Sequence, residues 1–168
     1  MSRDPAEKLD IAALIAQGSK LEFECELKNL SRLAPMLRDT RGNVSGRFRF
    51  HSEGRLAAAD GRLRATLALT CQRCLDEVAV PVDTECRLIF AEQEAVDLQL
   101  PADYELVTTH GGRISLAELV EDELLLALPL VAMHGEGSGC RPQPSGESKA
   151  AREPTQRPFA GLRGLMRD

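Results

Sequence analysis

Two cysteines stand three positions apart in the stretch LTCQRCLDEV, residues 69 to 78. Cys71 and Cys74 have the spacing at which a tight turn directs two thiolates toward one tetrahedral zinc ion. A structural zinc site needs four ligands, and this pair supplies two. His134 and Cys140 lie farther along, in a glycine-rich stretch that is able to fold around an ion. The sequence therefore predicts zinc as a candidate cofactor, held by Cys71, Cys74, His134 and Cys140.

Two other uses of these cysteines remain open at this stage. A thioredoxin-type redox pair belongs where a strand leads into a helix, whereas this pair falls between two predicted strands, which disfavours redox chemistry. The simpler alternative is that Cys71 packs in the core and Cys74 lies in a loop without any metal. Cys25 and Cys86 alternate with polar residues on apolar strand faces and are predicted to be core residues.

Arginines form a second group with chemical potential. Several alternate with apolar residues on two predicted strands, so that neighbouring strands would place their guanidinium groups on one exposed face. Such groups bind phosphates through paired hydrogen bonds, and the lack of aromatic residues on this face predicts that RNA would be contacted through its backbone or its shape. The alternative is an ordinary solvent-facing surface. The predicted RNA-binding residues are Arg47, Arg49, Arg62, Arg64 and Arg73.

Charge is distributed unevenly along the 168 residues, whose net charge is −5. From Arg41 to Cys74 there are seven arginines against two acidic residues, and from Leu75 to Leu128 there are thirteen acidic residues against two arginines. The overall sign argues against a protein that coats nucleic acid. The acidic residues of a predicted helix suit either a solvated face or a basic protein partner. The residues predicted for such a partner are Glu118, Glu121 and Asp122.

Recognisable catalytic motifs are missing from the sequence. It contains no G-x-S-x-G, no P-loop, no H-E-x-x-H and no G-x-G-x-x-G. Because no nucleophile is paired with a convincing base, we predict no catalytic residues and a protein that is not an enzyme.

The hydrophobic pattern predicts an α+β fold. An N-terminal helix is expected to begin at Asp4 and end at Gly18, followed by strands with alternating apolar residues. Asp60-Gly61 is a favoured hairpin turn pair, and Pro81 indicates an edge or a bulge. The expected architecture is a mostly antiparallel, barrel-like sheet on which the N-terminal helix and a long C-terminal helix pack.

The end of that second helix also sets the predicted domain boundary. Ser115 and Glu118 form a capping box, and Pro129 should end the helix. Residues 1–133 are predicted to form one domain, and residues 134–168 a loop and a flexible C-terminal tail, because glycine, serine, proline and charge dominate there. No apolar run reaches the roughly 20 residues that a membrane helix needs, and no signal peptide is recognised. We therefore expect a cytoplasmic protein with no membrane partner.

Three segments in a fixed order carry a family resemblance. The chain resembles the YceD-like family of bacterial large ribosomal RNA subunit accumulation proteins. The segments that carry the resemblance are CQRC, then LVEDELLLALPLVAMH with Cys140 following, then RPFAGLRGL. The resemblance implies a non-enzymatic ribosome-biogenesis role in the synthesis, processing or stability of 23S rRNA. It implies 23S rRNA or its precursor particle as the partner, with a basic ribosomal or assembly protein as a further candidate.

The resemblance also bears on the metal and on the alternatives. Some family members carry a second C-x-x-C pair near the C-terminus, which would complete a four-cysteine zinc site. Here Cys140 alone stands at that place, and His134 would have to replace the missing thiol. The competing functions are a protein–protein adaptor without direct RNA contact and a zinc-dependent enzyme with an open coordination position, using His134 or Glu77 as acid or base.

Overall fold

The computed structural model describes residues 6–92 and 100–142. Within these ranges the chain forms β1 (Lys8–Asp10), α1 (Ile11–Ala16), β2 (Lys20–Glu26), β3 (Asn43–Glu53), β4 (Leu56–Thr70), β5 (Glu77–Glu92), β6 (Glu105–Thr109), β7 (Arg113–Ser115) and α2 (Leu116–Ala127). Two short 3-10 turns, Leu27–Asn29 and Ala34–Met36, lie between β2 and β3.

The strands form one large and one small sheet. The large sheet has the order β2-β3-β4-β5-β6, and β1 pairs with β7. Every pairing is antiparallel except that of β5 with β6. The predicted α+β class with a mostly antiparallel sheet is therefore confirmed. The sheet does not close into a barrel, since β2 and β6 remain its two edges.

The core lies on one face of the large sheet. In β3, Phe48 and Phe50 are almost completely buried while the arginines between and before them are exposed, which is the period-two pattern of a half-buried strand. The ring of Phe48 stacks on that of Phe23 at 5.9 Å, and the ring of Phe50 stacks on that of Phe90 at 6.0 Å. The apolar face of α2, including Leu124, is buried in the same cluster.

The N-terminal helix is shorter than the sequence predicts. It begins at Ile11, where the Asp10 side chain caps it by accepting a hydrogen bond from the Ala13 amide at 3.0 Å. The preceding residues, Lys8–Asp10, are extended because they pair with β7. Asp4, the predicted start of the helix, lies outside the described residues.

The predicted hairpin turn at Asp60-Gly61 is wrong. Both residues lie inside β4, and the chain reverses instead at Gly54, whose φ of +60° favours glycine. Gly61 serves a different purpose, because a Cβ atom there would lie 2.4 Å from the Phe48 ring and 2.5 Å from the Cys86 sulfur. The strand needs glycine at this position so that the core can approach its backbone.

Replacement of Gly61 by alanine should therefore be costly. We expect Gly61→Ala to lower the free energy of unfolding by about 2 kcal/mol, because the new methyl group overpacks the core. Urea denaturation followed by circular dichroism measures the change. Gly135→Ala is the matched control, since nothing lies within 4 Å of a Cβ atom there. Equal stability of the two variants would show that the core accommodates the methyl group.

The two ends of α2 and the position of Pro81 on β5 agree with the sequence predictions. The Ser115 hydroxyl accepts a hydrogen bond from the Glu118 amide at 3.3 Å, and the Glu118 carboxylate accepts one from the Ser115 amide at 3.2 Å, so the capping box is confirmed. The helix ends at Ala127, shortly before Pro129. Pro81 lies where β5 pairs with β4 alone, because β6 pairs only from Leu88 onward. In that part of β5, no described strand pairs on the other side of Pro81, and this is the edge position that the sequence predicts.

The predicted domain boundary after residue 133 stays a prediction. His134 to Pro142 belong to the described part, and most of the predicted tail, residues 143–168, lies outside it. Across the described ranges, no helix is both long enough and apolar enough to cross a membrane.

Candidate functional site: a metal centre and charged faces

The first half of the candidate metal centre is the turn between β4 and β5. The Cys71 amide donates to the Asp76 carbonyl at 2.8 Å, and the Leu75 amide donates to the Cys71 carbonyl at 2.9 Å. Leu75 adopts a φ of +62°, a value that residues with a Cβ atom rarely adopt. These bonds hold the C-x-x-C segment in a tight turn in which Cys71 and Cys74 are both buried.

The second half comes from the segment after α2. The Gln72 amide donates to the Ala132 carbonyl at 2.8 Å, so this segment lies directly against the C-x-x-C turn. Gly137 and Gly139 have φ angles of +82° and +70°, conformations that glycine adopts without strain. The resulting loop returns Cys140 to the turn.

All four predicted ligands meet in one cluster. The Cys71 and Cys140 sulfurs are 3.7 Å apart, and the Cys74 sulfur lies 3.5 Å from Nδ1 of His134. The four ligand atoms all lie within 4.8 Å of one another. In a zinc tetrahedron, the usual bond lengths give sulfur–sulfur edges of about 3.8 Å and sulfur–nitrogen edges of about 3.6 Å. The donor set and these two distances fit a tetrahedral metal ion. The structure brings the four predicted residues together, and the binding of a metal by them stays a prediction.

A backbone contact orients the histidine. Nε2 of His134 lies 2.9 Å from the Glu77 carbonyl oxygen, which can only accept a hydrogen bond. The proton therefore sits on Nε2, and the lone pair of Nδ1 points toward the Cys74 sulfur. Metal-binding histidines are commonly fixed in this way by a carbonyl group behind the ring.

The pKa values of two thiols in the cluster are shifted in opposite directions. Burial alone would raise the pKa of Cys71, but the amides of Cys74, Arg73 and His134 donate to its sulfur and bring the pKa down to about 5. Burial and the neighbouring sulfurs of Cys74 and Cys71 raise the pKa of Cys140 to about 11. At neutral pH the backbone therefore stabilises a thiolate at Cys71, the form that binds metal ions.

Four of the predicted RNA-binding arginines share the solvent-facing side of the sheet, as alternation predicts. The Arg62 guanidinium binds both oxygens of Asp83 at 2.7 and 2.8 Å and also reaches Glu85 at 2.8 Å. Arg64 binds Asp83 at 3.2 Å, and Arg49 binds Asp60 at 3.1 Å. Within the described residues Arg47 forms no ion pair. With Arg49 and Arg62, Arg47 lines a groove of about 850 Å³ in which acidic and basic side chains are equally frequent.

Arg73 lies elsewhere, in the C-x-x-C turn. Its guanidinium is 3.8 Å from the Met133 sulfur. Arg38 also reaches this turn and donates to the Leu75 carbonyl at 2.6 Å, while Arg141 borders the hollow beside the four clustered residues. Arg38 and Arg141 escaped the sequence prediction because neither belongs to an alternating pattern. The only local signal was that Arg141 directly follows Cys140.

The three predicted partner-binding residues of α2 all have partners within the fold. The Glu121 carboxylate accepts a hydrogen bond from the Arg32 amide at 2.7 Å, and the side chain is only 2% exposed. Asp122 forms an ion pair with the Arg32 side chain at 2.6 Å, and Glu118 completes the capping box. Glu121 is thus placed to support the fold and not a surface, and the neighbouring Glu123 is buried as well.

Comparison with known proteins places these features in a wider group. A family model described as large ribosomal RNA subunit accumulation protein YceD matches residues 59–166. A relative from Haemophilus influenzae with the same description is 33% identical over 110 residues, an alignment that spans 62% of this chain and 62% of that protein. No solved structure matches. Because the family model covers more than half of the sequence, the chain belongs to the family of large ribosomal RNA subunit accumulation proteins named YceD.

Proposed function

We propose that this protein is a non-enzymatic, cytoplasmic ribosome-biogenesis factor that supports the accumulation of 23S rRNA, acting on that RNA or its precursor particle. The observation that carries the proposal is the family match over residues 59–166, a region that contains all four clustered ligands. Arg47 and its neighbours on the sheet, together with Arg73 in the C-x-x-C turn, supply the cationic groups for contacts to phosphates.

In this proposal Zn²⁺ is bound by Cys71, Cys74, His134 and Cys140. The ion supplies structural cross-linking, joining the turn between β4 and β5 to the loop that follows α2. Four protein ligands fill a tetrahedral shell, whereas a catalytic zinc site keeps one position for water or substrate. The complete donor set therefore supports a structural ion over a zinc-dependent enzyme.

Two of the three α2 carboxylates predicted to bind a basic protein partner are exposed and stay candidates for that contact. Asp122 retains half of its side-chain exposure even though it pairs with Arg32. Glu118 and Asp122 are the residues that we retain for such a contact, which would accompany the RNA contact. Glu121 is omitted because it is buried.

The proposed function is tested in cells of the source organism that lack this chain. We expect the ratio of large-subunit to small-subunit rRNA to fall, and the wild-type chain to restore it. A chain carrying both Cys71→Ser and Cys74→Ser should restore it poorly, because the turn between β4 and β5 is no longer joined to the loop after α2. A ratio that does not change when the chain is removed would contradict the proposed function.

A companion measurement separates direct RNA contact from an adaptor role. The tagged full-length chain is recovered from cells with and without nuclease treatment, and the bound proteins and RNA are identified. Direct action on rRNA predicts that 23S sequences are recovered and that ribosomal proteins are lost after nuclease. Protein partners that survive nuclease, with ribosomal components absent, would favour the adaptor.

A further inference from the structure

We infer that the end of the sheet at the metal centre is a binding surface for single-stranded RNA. This knuckle surface consists of Arg38, Arg73, Arg141, Leu75 and Met133. The inference rests on the proposed function and goes further, since it names the part of the molecule and the form of RNA involved. It also moves the main RNA contact away from the sheet face on which most of the predicted arginines lie.

The availability of the arginines is the first reason. On the sheet face, Arg49, Arg62 and Arg64 are bound to carboxylates, so a phosphate would have to displace those ion pairs. Arg38, Arg73 and Arg141 form no ion pair with any described residue, so no described carboxylate neutralises their charge, and their remaining donors can bind phosphate or stack on a base. Cationic groups that are not already neutralised bind polyanions more strongly.

The second reason is the position of the three arginines, which lie on or against the C-x-x-C turn and the loop after α2. Arg38 reaches the C-x-x-C turn through the Leu75 carbonyl at 2.6 Å, and Arg73 lies within that turn. Arg141 borders a hollow of about 430 Å³ together with Cys74, His134 and Cys140. The turn and the loop that carry these residues are the two segments joined by the metal ligands.

Exposed apolar side chains among the arginines are the third reason. Leu75 and Met133 are 52% and 47% exposed. Leu130 and Val131, in the segment beside the turn, are also exposed. Unpaired bases offer flat apolar faces to such side chains and to guanidinium planes, whereas the bases of an RNA duplex are stacked and enclosed. The combination favours a single strand.

Nearby carboxylates limit the size of the contact. Asp76, Glu77 and Glu136 are exposed in the same turn and loop and repel additional phosphates. The surface therefore suits a short strand held by two or three phosphate contacts, and does not suit a long RNA bound by charge alone.

Fluorescence anisotropy with a labelled single-stranded RNA of about 12 nucleotides tests this, since that length lies within the range of about 4 to 16 nucleotides that single-strand-binding modules cover. The zinc-loaded full-length chain is compared with Arg73→Glu/Arg141→Glu. We expect the double variant to bind at least about 10-fold more weakly, with a salt-dependence slope smaller by about 1.4, the value for two lost phosphate contacts on a single strand. Arg55→Glu, in the β3–β4 turn, is the matched control and should change affinity less than about twofold.

A second variant and a second RNA complete the test. Met133→Ser should weaken binding without altering the salt slope, because it removes an apolar contact, and a base-paired hairpin should bind more weakly than the single strand. Arg47→Glu weakening binding as much as the double variant would overturn the inference in favour of the sheet face. Failure of the wild-type chain to bind single-stranded RNA would also overturn the inference. The proposed function is tested separately, by the rRNA ratio in cells.

Discussion

Substitution of Cys74 by alanine is expected to lower the free energy of unfolding of the zinc-loaded chain by at least about 3 kcal/mol, because binding of a structural zinc ion is coupled directly to folding. Cys74 is 6% exposed, and its sulfur lies 3.5 Å from the Nδ1 atom of His134. Its removal leaves three ligands and a cavity between the turn and the loop. Urea denaturation in buffer with free zinc measures the loss.

The contribution of the metal is separated from that of packing by a chelator. Addition of chelator should destabilise the wild-type chain and leave Cys74→Ala almost unchanged, since the variant has little bound zinc to lose. Cys86→Ala is the matched control, because Cys86 is equally buried at 5% exposure but lies outside the cluster. It should lose some stability through a cavity and keep the full response to chelator. A wild-type chain that is indifferent to chelator would contradict the prediction.

Glu123 should make the stability of the protein depend on pH. It lies on α2 at 6% exposure, and burial together with the charge of Glu105 on β6 raises its pKa to about 7, with Asp122 adding to the effect. Cys86 on β5 donates a hydrogen bond to the carboxylate and partly offsets the rise. The folded chain therefore keeps this proton up to near neutral pH, whereas the unfolded chain releases it at the ordinary value for glutamate, near 4.5.

Because the folded state binds the extra proton, stability falls as pH rises from the ordinary pKa of glutamate through the folded one. Above that window the ionised, buried carboxylate costs up to about 3 kcal/mol. We expect Glu123→Gln to gain most of this free energy at pH 8 and little at pH 4.5 in thermal unfolding. Glu22→Gln is the control, because it makes the same chemical change at an exposed glutamate of β2. Equal pH profiles for Glu123→Gln and the wild-type chain would contradict the assignment.

Residue types and spacing selected four side chains that the structure does bring together, whereas the binding of a metal by them stays a prediction. The C-x-x-C turn, the histidine and the last cysteine were identified from residue types alone, because the chemistry of a zinc site limits which side chains qualify. The contacts that orient them were beyond such reasoning. The bond from Nε2 of His134 to the Glu77 carbonyl depends on the path of the chain after α2, which no short-range pattern encodes.

Long-range pairing explains the errors in the rest of the prediction. Alternation placed Arg62 and Arg64 on the solvent-facing side correctly, but their partners Asp83 and Glu85 follow from the register between β4 and β5. Asp60-Gly61 has the chemistry of a turn, yet the packing of Phe48 against Gly61 keeps the strand extended. Tertiary contacts decided both cases.

In helix α2 as well, the sequence pattern did not show which acidic residues are buried. Its sequence identified the cap, the apolar face and the end, and the acidic residues looked like one solvated set. Glu121 is buried because the amide of Arg32, which is distant in sequence, needs an acceptor. A charged residue that satisfies a backbone group elsewhere in the fold leaves no mark on its own helix.

X-ray absorption spectroscopy of the purified full-length chain tests the central claim most directly. We expect one zinc ion per chain with three sulfur ligands at about 2.3 Å and one nitrogen ligand at about 2.0 Å, and no oxygen in the first coordination shell. Cys140→Ser should reduce the number of sulfur ligands to two or abolish metal binding. A chain that purifies without zinc, or one whose zinc retains a bound water, would contradict a closed structural centre that shapes a docking surface.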